Sequence, residues 1–581
     1  GQSGIWSSYA KNDLLPRLNG FELLMASYAM AHLQIDLLLK ETGYLPSFGG
    51  VGAGRTKIYL TNSLEEYHKD TGTLFANWLS SEANEANHIK RDTPVMCIIG
   101  NPPYAVSSTN KGDWIQNLLI DYKKDLNERK INLDDDYIKF IRYGQHYVEK
   151  NGSGVLAYIS NNSFIDGITH RQMRKNILET FDKVYILDLH GNAKKKETTP
   201  EGKPDQNVFD IMQGVSINIF VKTGQKKKNQ FGQIFHSEIF GKRGLKNTFL
   251  TNNEMSTIKW QKLENKEPYF FFIPKDYDLE KKYNSFINTQ NLFREYVSGI
   301  QTKRDAITIK YKVDDLKDVK NTFLSDKTHE EIRSILSLPI DGRDWKIPLA
   351  IKDLKENNPK IKDILYRPFD KRFTFYTGKS KGFIAYPRHK VLRNFLNNDN
   401  IGILLPRQAI TEQFGYFVTN TICDINYTGS AGQFGAGLVF PLYLYPEETN
   451  QISTENSSTK RTPNLNLKIV NKIAKKIGLE FVEDHELLKQ VEHNKYFSPL
   501  DLLDYIYAVL HSPTYREKYK EFLKIDFPRV PFPITRGLNP LQIKERFWQL
   551  VQLGSELRQL HLLESDKVND TKAAELSFSI S

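Results

Sequence analysis

The stretch CIIGNPPYAV, residues 97–106, carries an apolar run through a glycine into Asn101, two prolines and Tyr104. Adjacent prolines can neither continue a central strand nor enter a helix interior, because each lacks an amide hydrogen and fixes φ. The run is therefore expected to be a strand that ends abruptly in a stiff turn. VMCIIG lacks the alternation of a half-buried strand, which predicts burial on both faces, with Cys97 inside. That pattern belongs to a parallel sheet covered by helices.

The surrounding residues fit such a sheet. ASYAMAHLQIDLLLKETGY has helical spacing, with Met25, Tyr28, Ala29, His32, Leu33 and Leu37 on one stripe and Gly43 as C-cap. TKIYLTNSL reads as a strand and YIKFIRYGQHYVEKNG as a helix closed by glycine. GVLAYIS, FDKVYILDLHG and GVSINIFVKTG read as further strands. Strands alternating with crossover helices predict an α/β fold with a parallel or mostly parallel sheet. GQKKKNQFGQ, residues 224–233, reads as a hairpin loop or a module edge.

Beyond about residue 290 the pattern changes to short β-like runs broken by turn signals, as in LYRPFDKRFTFYTGKSKGFIAYPRHK. STENSSTKR, residues 453–461, reads as a flexible linker, and helical runs such as LQIKERFWQLVQLGSELRQLHLL follow. The expected organisation is a catalytic domain over 1–235 and a connecting segment over 236–290. A recognition region over 291–452, the linker over 453–461 and a helical part over 462–581 follow. With 581 residues, two or three domains are expected.

Hydrophobic residues make up 39% and charged residues 26%, which excludes a disordered or fibrous chain. Two cysteines, Cys97 and Cys423, exclude a cysteine-based metal knuckle or disulfide framework, so no metal is expected and a cytosolic setting is favoured. No apolar run reaches membrane-spanning length, so no membrane partner is expected. The net charge of +11 favours a polyanionic partner. Four features are read as ordinary structure. GGVGAGRT (49–56) follows a helix end rather than a strand, so it reads as a connection and not a cofactor loop. Asp188, Glu201 and Lys203 imitate a nuclease triad, but the last two lie in a hydrophilic loop. His32 reads as a core histidine, and Lys194, Lys195 and Lys196 as a solvated face, with contact to a phosphate backbone as the alternative.

In an open α/β sheet, ligands gather at the carboxyl ends of the strands, where this turn arrives. The turn suits one chemical problem. The exocyclic amine of adenine is a poor nucleophile because its lone pair is delocalised into the ring. An Asn side-chain oxygen and a backbone carbonyl can accept its two hydrogens and favour a tetrahedral nitrogen. Tyr104 supplies a ring to stack on an extruded base.

NPPY after an apolar strand resembles motif IV of the amino-methyltransferases, which methylate adenine N6 in DNA with S-adenosylmethionine. The resemblance implies a Rossmann-like methyltransferase sheet with Asn101, Pro102, Pro103 and Tyr104 as its catalytic turn. LNGFELLMASYAMAHL resembles the second-strand motif, which implies that Glu22 and Phe21 bind the cofactor, Glu22 at the ribose. IYLTNSLEE resembles the third-strand motif, with Asn62 where an acidic cofactor contact is usual. GVLAYISNNSFIDG resembles the next core strand, and NVFDIMQGVSINIFVKT the motif whose aromatic residue helps sandwich the target base, here Phe209.

The order of motifs is similar to that of the single-chain restriction–modification enzymes of types IIG and ISP, whose C-terminal part recognises a target site in double-stranded DNA. LYRPFDKRFTFYTGKSKGFIAYPRHK resembles the start of such a mixed α+β region. Its basic residues Arg367, Lys371, Arg372, Lys379, Lys381, Arg388 and Lys390 (with His389 among them) are the expected DNA contacts. Most of the interleaved aromatics, Phe369, Phe373, Phe375, Tyr376, Phe383 and Tyr386, are expected to be core. The family's glycine-rich first motif should precede Glu22 by about 20 residues. GQSGIWSSYAKNDLLPRL contains no such turn, so the chain is expected to be the C-terminal portion of a longer enzyme; the nuclease and coupling helices of the larger enzymes would lie further upstream, and the sequence leaves open whether a nuclease is there. Two other readings remain: a non-catalytic DNA-binding specificity module, and the same chemistry on RNA or a protein amide.

Overall fold

A computed structural model describes residues 3–44, 56–67, 77–104, 108–126, 133–227, 229–409, 414–428, 436–446, 461–490, 495–533, 537 and 539–569. Most of GGVGAGRT and of the 453–461 stretch lies outside the described residues. The chain divides into two compact units, Gly1–Lys275 and Asp276–Ser581.

In the first unit, β1 (Asn19–Glu22) and β2 (Lys57–Leu60) form a parallel pair. Helix α1 (Met25–Glu41) follows β1 and closes at Gly43, whose φ of +84° supplies the left-handed turn expected there. Helix α2 (Asn77–Asp92) leads to β3 (Cys97–Gly100), an edge strand of a six-stranded sheet. α3 (Asp136–Asn151) precedes β4 (Gly154–Asn161), and α4 (Arg171–Thr180) precedes β5 (Lys183–Asp188). β6 (Val215–Lys222), β7 (Gln233–Glu238) and β8 (Gln261–Leu263) complete the set, in the order β3-β4-β6-β5-β7-β8.

The α/β class holds, but the sheet is mixed rather than mostly parallel. β3 and β4 are parallel, as are β5 and β7, whereas β6 runs antiparallel between β4 and β5 and β8 antiparallel to β7. Nor is the 224–233 stretch a hairpin. β7 pairs with β5, so the chain passes over β5 after leaving β6. The expected catalytic boundary at 235 falls inside β7, and residues expected as connection supply β8 and helix α5 (Arg243–Asn252). β3 is also not buried on both faces. Ile98 faces the core, while Cys97 is exposed and Ile99, on the other face, is 83% exposed, left uncovered among the described residues.

This topology fixes where chemistry is possible. β3, β4 and β5 point the same way, and antiparallel β6 enters where β5 ends. The 101–104 turn and the 189–214 loop therefore meet at the carboxyl ends of the strands. A core of Leu156, Phe164, Ile177, Val184, Ile186 and Phe220 holds the sheet against its helices.

The second unit is α+β. A hairpin of β9 (Lys360–Arg367) and β10 (Asp370–Tyr376) stands beside a sheet of β11 (Gly402–Pro406), β12 (Phe417–Thr419) and β13 (Gly437–Pro441). Helices α6 (Leu467–Ile477), α7 (Pro499–His511), α8 (Pro513–Leu523) and α9 (Pro540–Leu562) follow. The stretch 453–461 does not divide the core. Ile403, Val418 and Phe440 pack in one cluster with Val470, Leu502 and Phe547, as well as with Tyr283 and Phe293 from before the sheet. Among the described residues, no helix is long and apolar enough to cross a membrane.

Candidate active site

β3 delivers Gly100 and then Asn101-Pro102-Pro103-Tyr104. Pro102 is buried, while Asn101 and Pro103 are exposed. The Tyr104 hydroxyl donates to Asn101 Oδ1 at 3.0 Å. Burial pushes the Tyr104 phenol up to about 12, so it stays protonated and remains a donor near neutrality. The oxygen expected to receive an amine thus already accepts one hydrogen bond from its own turn.

Tyr104 and Phe209 do come together. With Ile159 and Val208 they pack on Leu187, Leu189 and Val215. Their ring centroids are 6.4 Å apart with planes inclined at 52°. A base stacked between two rings needs them parallel and roughly 7 Å apart, two layers of the 3.4 Å stacking repeat. At 6.4 Å and this tilt the two rings are in the range of a direct aromatic contact, so a base enters only if they part and turn parallel.

The loop that presents Phe209 rests on groups not singled out as a site in the sequence. Asp188, at the end of β5, is buried and accepts from Asn162 Nδ2 at 2.9 Å and from the His190 amide at 3.0 Å. His190 has a φ of +51° and its ring stacks on Phe240 with centroids 3.9 Å apart. Its nitrogens lie 3.6 Å from Asp188, 3.9 Å from Glu197 and 3.2 Å from Glu238. Burial opposes the charge, but the nearby Glu197 carboxylate, the hydrogen bond to Glu238 and the charge of Asp188 prevail and push the imidazolium up to about 10. Gly191 is required where it stands: φ is +83°, and a Cβ would lie 2.4 Å from the Asn207 backbone.

The sign of the pH effect follows from the raised value. Charged His190 stabilises the fold fully below about pH 6.5, and that contribution is lost as pH rises towards about 10. In thermal melts, the difference between the parent and His190→Gln is expected to be largest in mild acid and to shrink steadily up to pH 10. A difference that grows with pH would contradict the assignment.

The expected cofactor residues lie at the ends of β1 and β2. Glu22 Oε1 accepts from the amides of Leu23 and Leu24, both at 2.9 Å, which fixes the carboxylate at the start of α1. Such a fixed carboxylate, half-buried, fits a ribose diol. Phe21 instead packs on Tyr59, Ala86 and Ile89. Asn62 is a cross-link: its Nδ2 donates to Asn110 and Glu65, and its Oδ1 accepts from Leu64. Among the described residues, no group of three or more His, Cys, Asp or Glu side chains is placed to hold a metal ion.

The basic set in the second unit sorts into two kinds. Arg372 donates to Asp370 at 2.7 Å and lies between the rings of Tyr311 and Tyr366, 3.9 and 4.1 Å from their centroids. Arg367 pairs with buried Asp424 at 3.1 Å. Arg388 sits 5.1 Å from the Tyr386 ring. Lys371, Lys379, Lys381 and Lys390 are exposed. Of these, Lys371 donates to Asn420 and Lys390 to Glu295. Phe375, Tyr376 and Phe383 are core, while Phe369 is 54% exposed.

Residues 34–194 match the family described as Eco57I restriction-modification methylase, and residues 291–577 that described as Type ISP C-terminal specificity domain. No curated protein compared with the chain matches it. Three solved structures share its fold. The ATP-dependent Type ISP restriction-modification enzyme LlaBIII bound to DNA is 21% identical with a TM-score of 0.66, covering 96% of this chain and 35% of that one. The DrdV–DNA complex is 21% identical with a TM-score of 0.64, covering 96% and 52%. A nuclease-deletion mutant of the Type ISP enzyme LlaGI, in complex with a DNA substrate mimic, is 19% identical with a TM-score of 0.63, covering 96% and 43%. The chain thus spans between about a third and a half of the length of these structures.

Proposed function

We propose, for a chain that joins a restriction–modification methylase region to a Type ISP specificity domain, that it methylates adenine N6 at a specific site in double-stranded DNA, using S-adenosylmethionine. The observation that carries the reading is the 101–104 turn at the carboxyl end of β3, with Phe209 facing Tyr104 from the 189–214 loop. A flipped adenine stacks between Tyr104 and Phe209. Its amine donates to Asn101 Oδ1 and the Pro102 carbonyl. Glu22 holds the cofactor ribose, with Phe21 and Asn62 shaping the neighbouring strand ends. The bound cofactor supplies a methyl group on a sulfonium, so alignment rather than a strong general base provides most of the rate.

The test is to incubate the enzyme with labelled S-adenosylmethionine and DNA from a host lacking DNA methylation. The label is expected in N6-methyladenine after digestion to nucleosides. Label in a methylated cytosine, or in protein but not DNA, would overturn the reading.

The exposed lysines make the electrostatic contacts to DNA. Lys379→Ala combined with Lys381→Ala is expected to lower the slope of log affinity against log salt by roughly two, one per phosphate contact. Filter binding across a salt series measures this, and an unchanged slope would place both lysines off the DNA. Lys371, Lys390 and Arg388 contribute more weakly, and Arg367 and Arg372 mainly hold the domain through their carboxylates.

A further inference from the structure

The loop that carries Phe209 is gripped by helix α5, from a segment the sequence presents as a connection. At the start of α5, the Arg243 amide donates to Gln206 Oε1 at 3.1 Å. Its guanidinium donates to the Asn207 carbonyl at 2.9 Å, to the Phe209 carbonyl at 3.0 Å and to Asp210 Oδ1 at 2.6 Å. One turn on, Lys246 is fully buried and donates to the carbonyls of Leu189 and Gln206, both at 2.7 Å, and to Asp205 Oδ2 at 2.6 Å. Asp205 Oδ1 accepts in turn from the Gly241 amide at 2.5 Å.

Asn207 completes the grip. Its Oδ1 accepts from the Phe209 amide at 2.8 Å, and its Nδ2 donates to the carbonyls of Gly191 and Gln213 at 3.1 and 2.6 Å. Both backbone polar groups of Phe209 are therefore held, its amide by Asn207 and its carbonyl by Arg243. Lys246 ties the two flanks of the loop together through Leu189 and Gln206. A buried ammonium is costly unless every hydrogen is satisfied, and these three acceptors satisfy all of them. Such a fully paired network holds one geometry rather than several.

We propose that Arg243 and Lys246 are positioning residues that set the Phe209 ring to receive the target adenine. The proposal rests on the methyltransferase reading and deepens it. Without the grip, DNA still binds through the second unit. The flipped base is then captured in poor alignment, so kcat falls while DNA affinity holds.

The experiment uses the complete enzyme, its target site mapped from the methylated adenines it leaves in DNA. Arg243→Gln is expected to lower kcat roughly a hundredfold, the cost of about 1 Å of misplacement, with DNA affinity changed by less than about twofold. Arg243→Lys keeps one bond to a backbone carbonyl and is expected to recover much of the loss. With 2-aminopurine at the target position, the fluorescence rise on binding is expected to be weaker and slower in Arg243→Gln than in the parent. Lys246→Met is the harsher variant; if it does not fold, the two Arg243 variants decide. Unchanged kcat and unchanged fluorescence in Arg243→Gln, with Asn101→Ala inactive, would overturn the positioning role alone. Full activity in Asn101→Ala would instead overturn the methyltransferase reading beneath it.

Discussion

Asn101→Ala is expected to reduce the single-turnover rate of methyl transfer by about a hundredfold to a thousandfold, the usual cost of losing one preorganised polar group aimed at a reacting atom. The substitution removes the side-chain acceptor and leaves the prolines, so the turn itself persists. Asn101 is exposed and its side chain bonds to Tyr104, so folding should be little changed. Cofactor and DNA affinities are expected to stay within about threefold, because the lost interaction matters most as the amine becomes tetrahedral. Rapid-quench measurement of N6-methyladenine gives the rate, and a variant as fast as the parent would remove Asn101 from the chemistry.

Arg558→Ala is expected to destabilise the second unit by about 3–5 kcal/mol, the cost of leaving a buried charge without its partner. Arg558, on α9, makes two bonds to Asp504 on α7, at 2.7 and 3.1 Å, with side chains only 8% and 3% exposed. Burial raises the Asp504 carboxyl above its usual range and the guanidinium opposes that, so the pair stands or falls together. Gly554 explains why the helices approach so closely: a Cβ there would lie 1.9 Å from the Asp504 carbonyl. Replacing both partners with leucine is expected to cost much less than the single change. Urea denaturation followed by tryptophan fluorescence compares the variants; equal losses in single and double variants would show that packing, not pairing, carries the stability.

What the sequence made legible is what local chemistry dictates. Two prolines after VMCIIG force a strand to end, and β3 ends there. Helical spacing and a glycine stop define α3; α1 forms and stops where expected, but Met25, Leu33 and Leu37 of its apolar stripe are exposed and Leu39 is buried instead. Strand pairing is not local, and there the reading failed. Nothing within GVSINIFVKTG says that it inserts between β4 and β5, which follow each other in the chain. An apolar run such as CIIG looks the same at an edge as in a centre, so the exposure of Ile99 was hidden. The same holds at the site. Asn101, Tyr104 and Phe209 belong to recognisable motifs, whereas His190, Arg243 and Lys246 act through backbone carbonyls and carboxylates that only the folded chain brings near. Nothing in RGLKNTFL marks Lys246 as a buried cross-link; its three acceptors meet only in the folded chain.

The hydrogen bond from Tyr104 to Asn101 bears on which bases the turn tolerates. A purine or pyrimidine that displaces the phenol must return a donor to Asn101 Oδ1. In the proposed site, adenine, with two N–H groups, would make the exchange and gain the Pro102 carbonyl as well. Thymine has no exocyclic amine: its single N3–H could donate to the asparagine oxygen, but it has no second hydrogen for the Pro102 carbonyl. If the turn receives the target base as proposed, hydrogen-bond matching at two acceptors would favour a base with a two-hydrogen amine, a preference set by the turn's polar atoms and not by cavity shape alone.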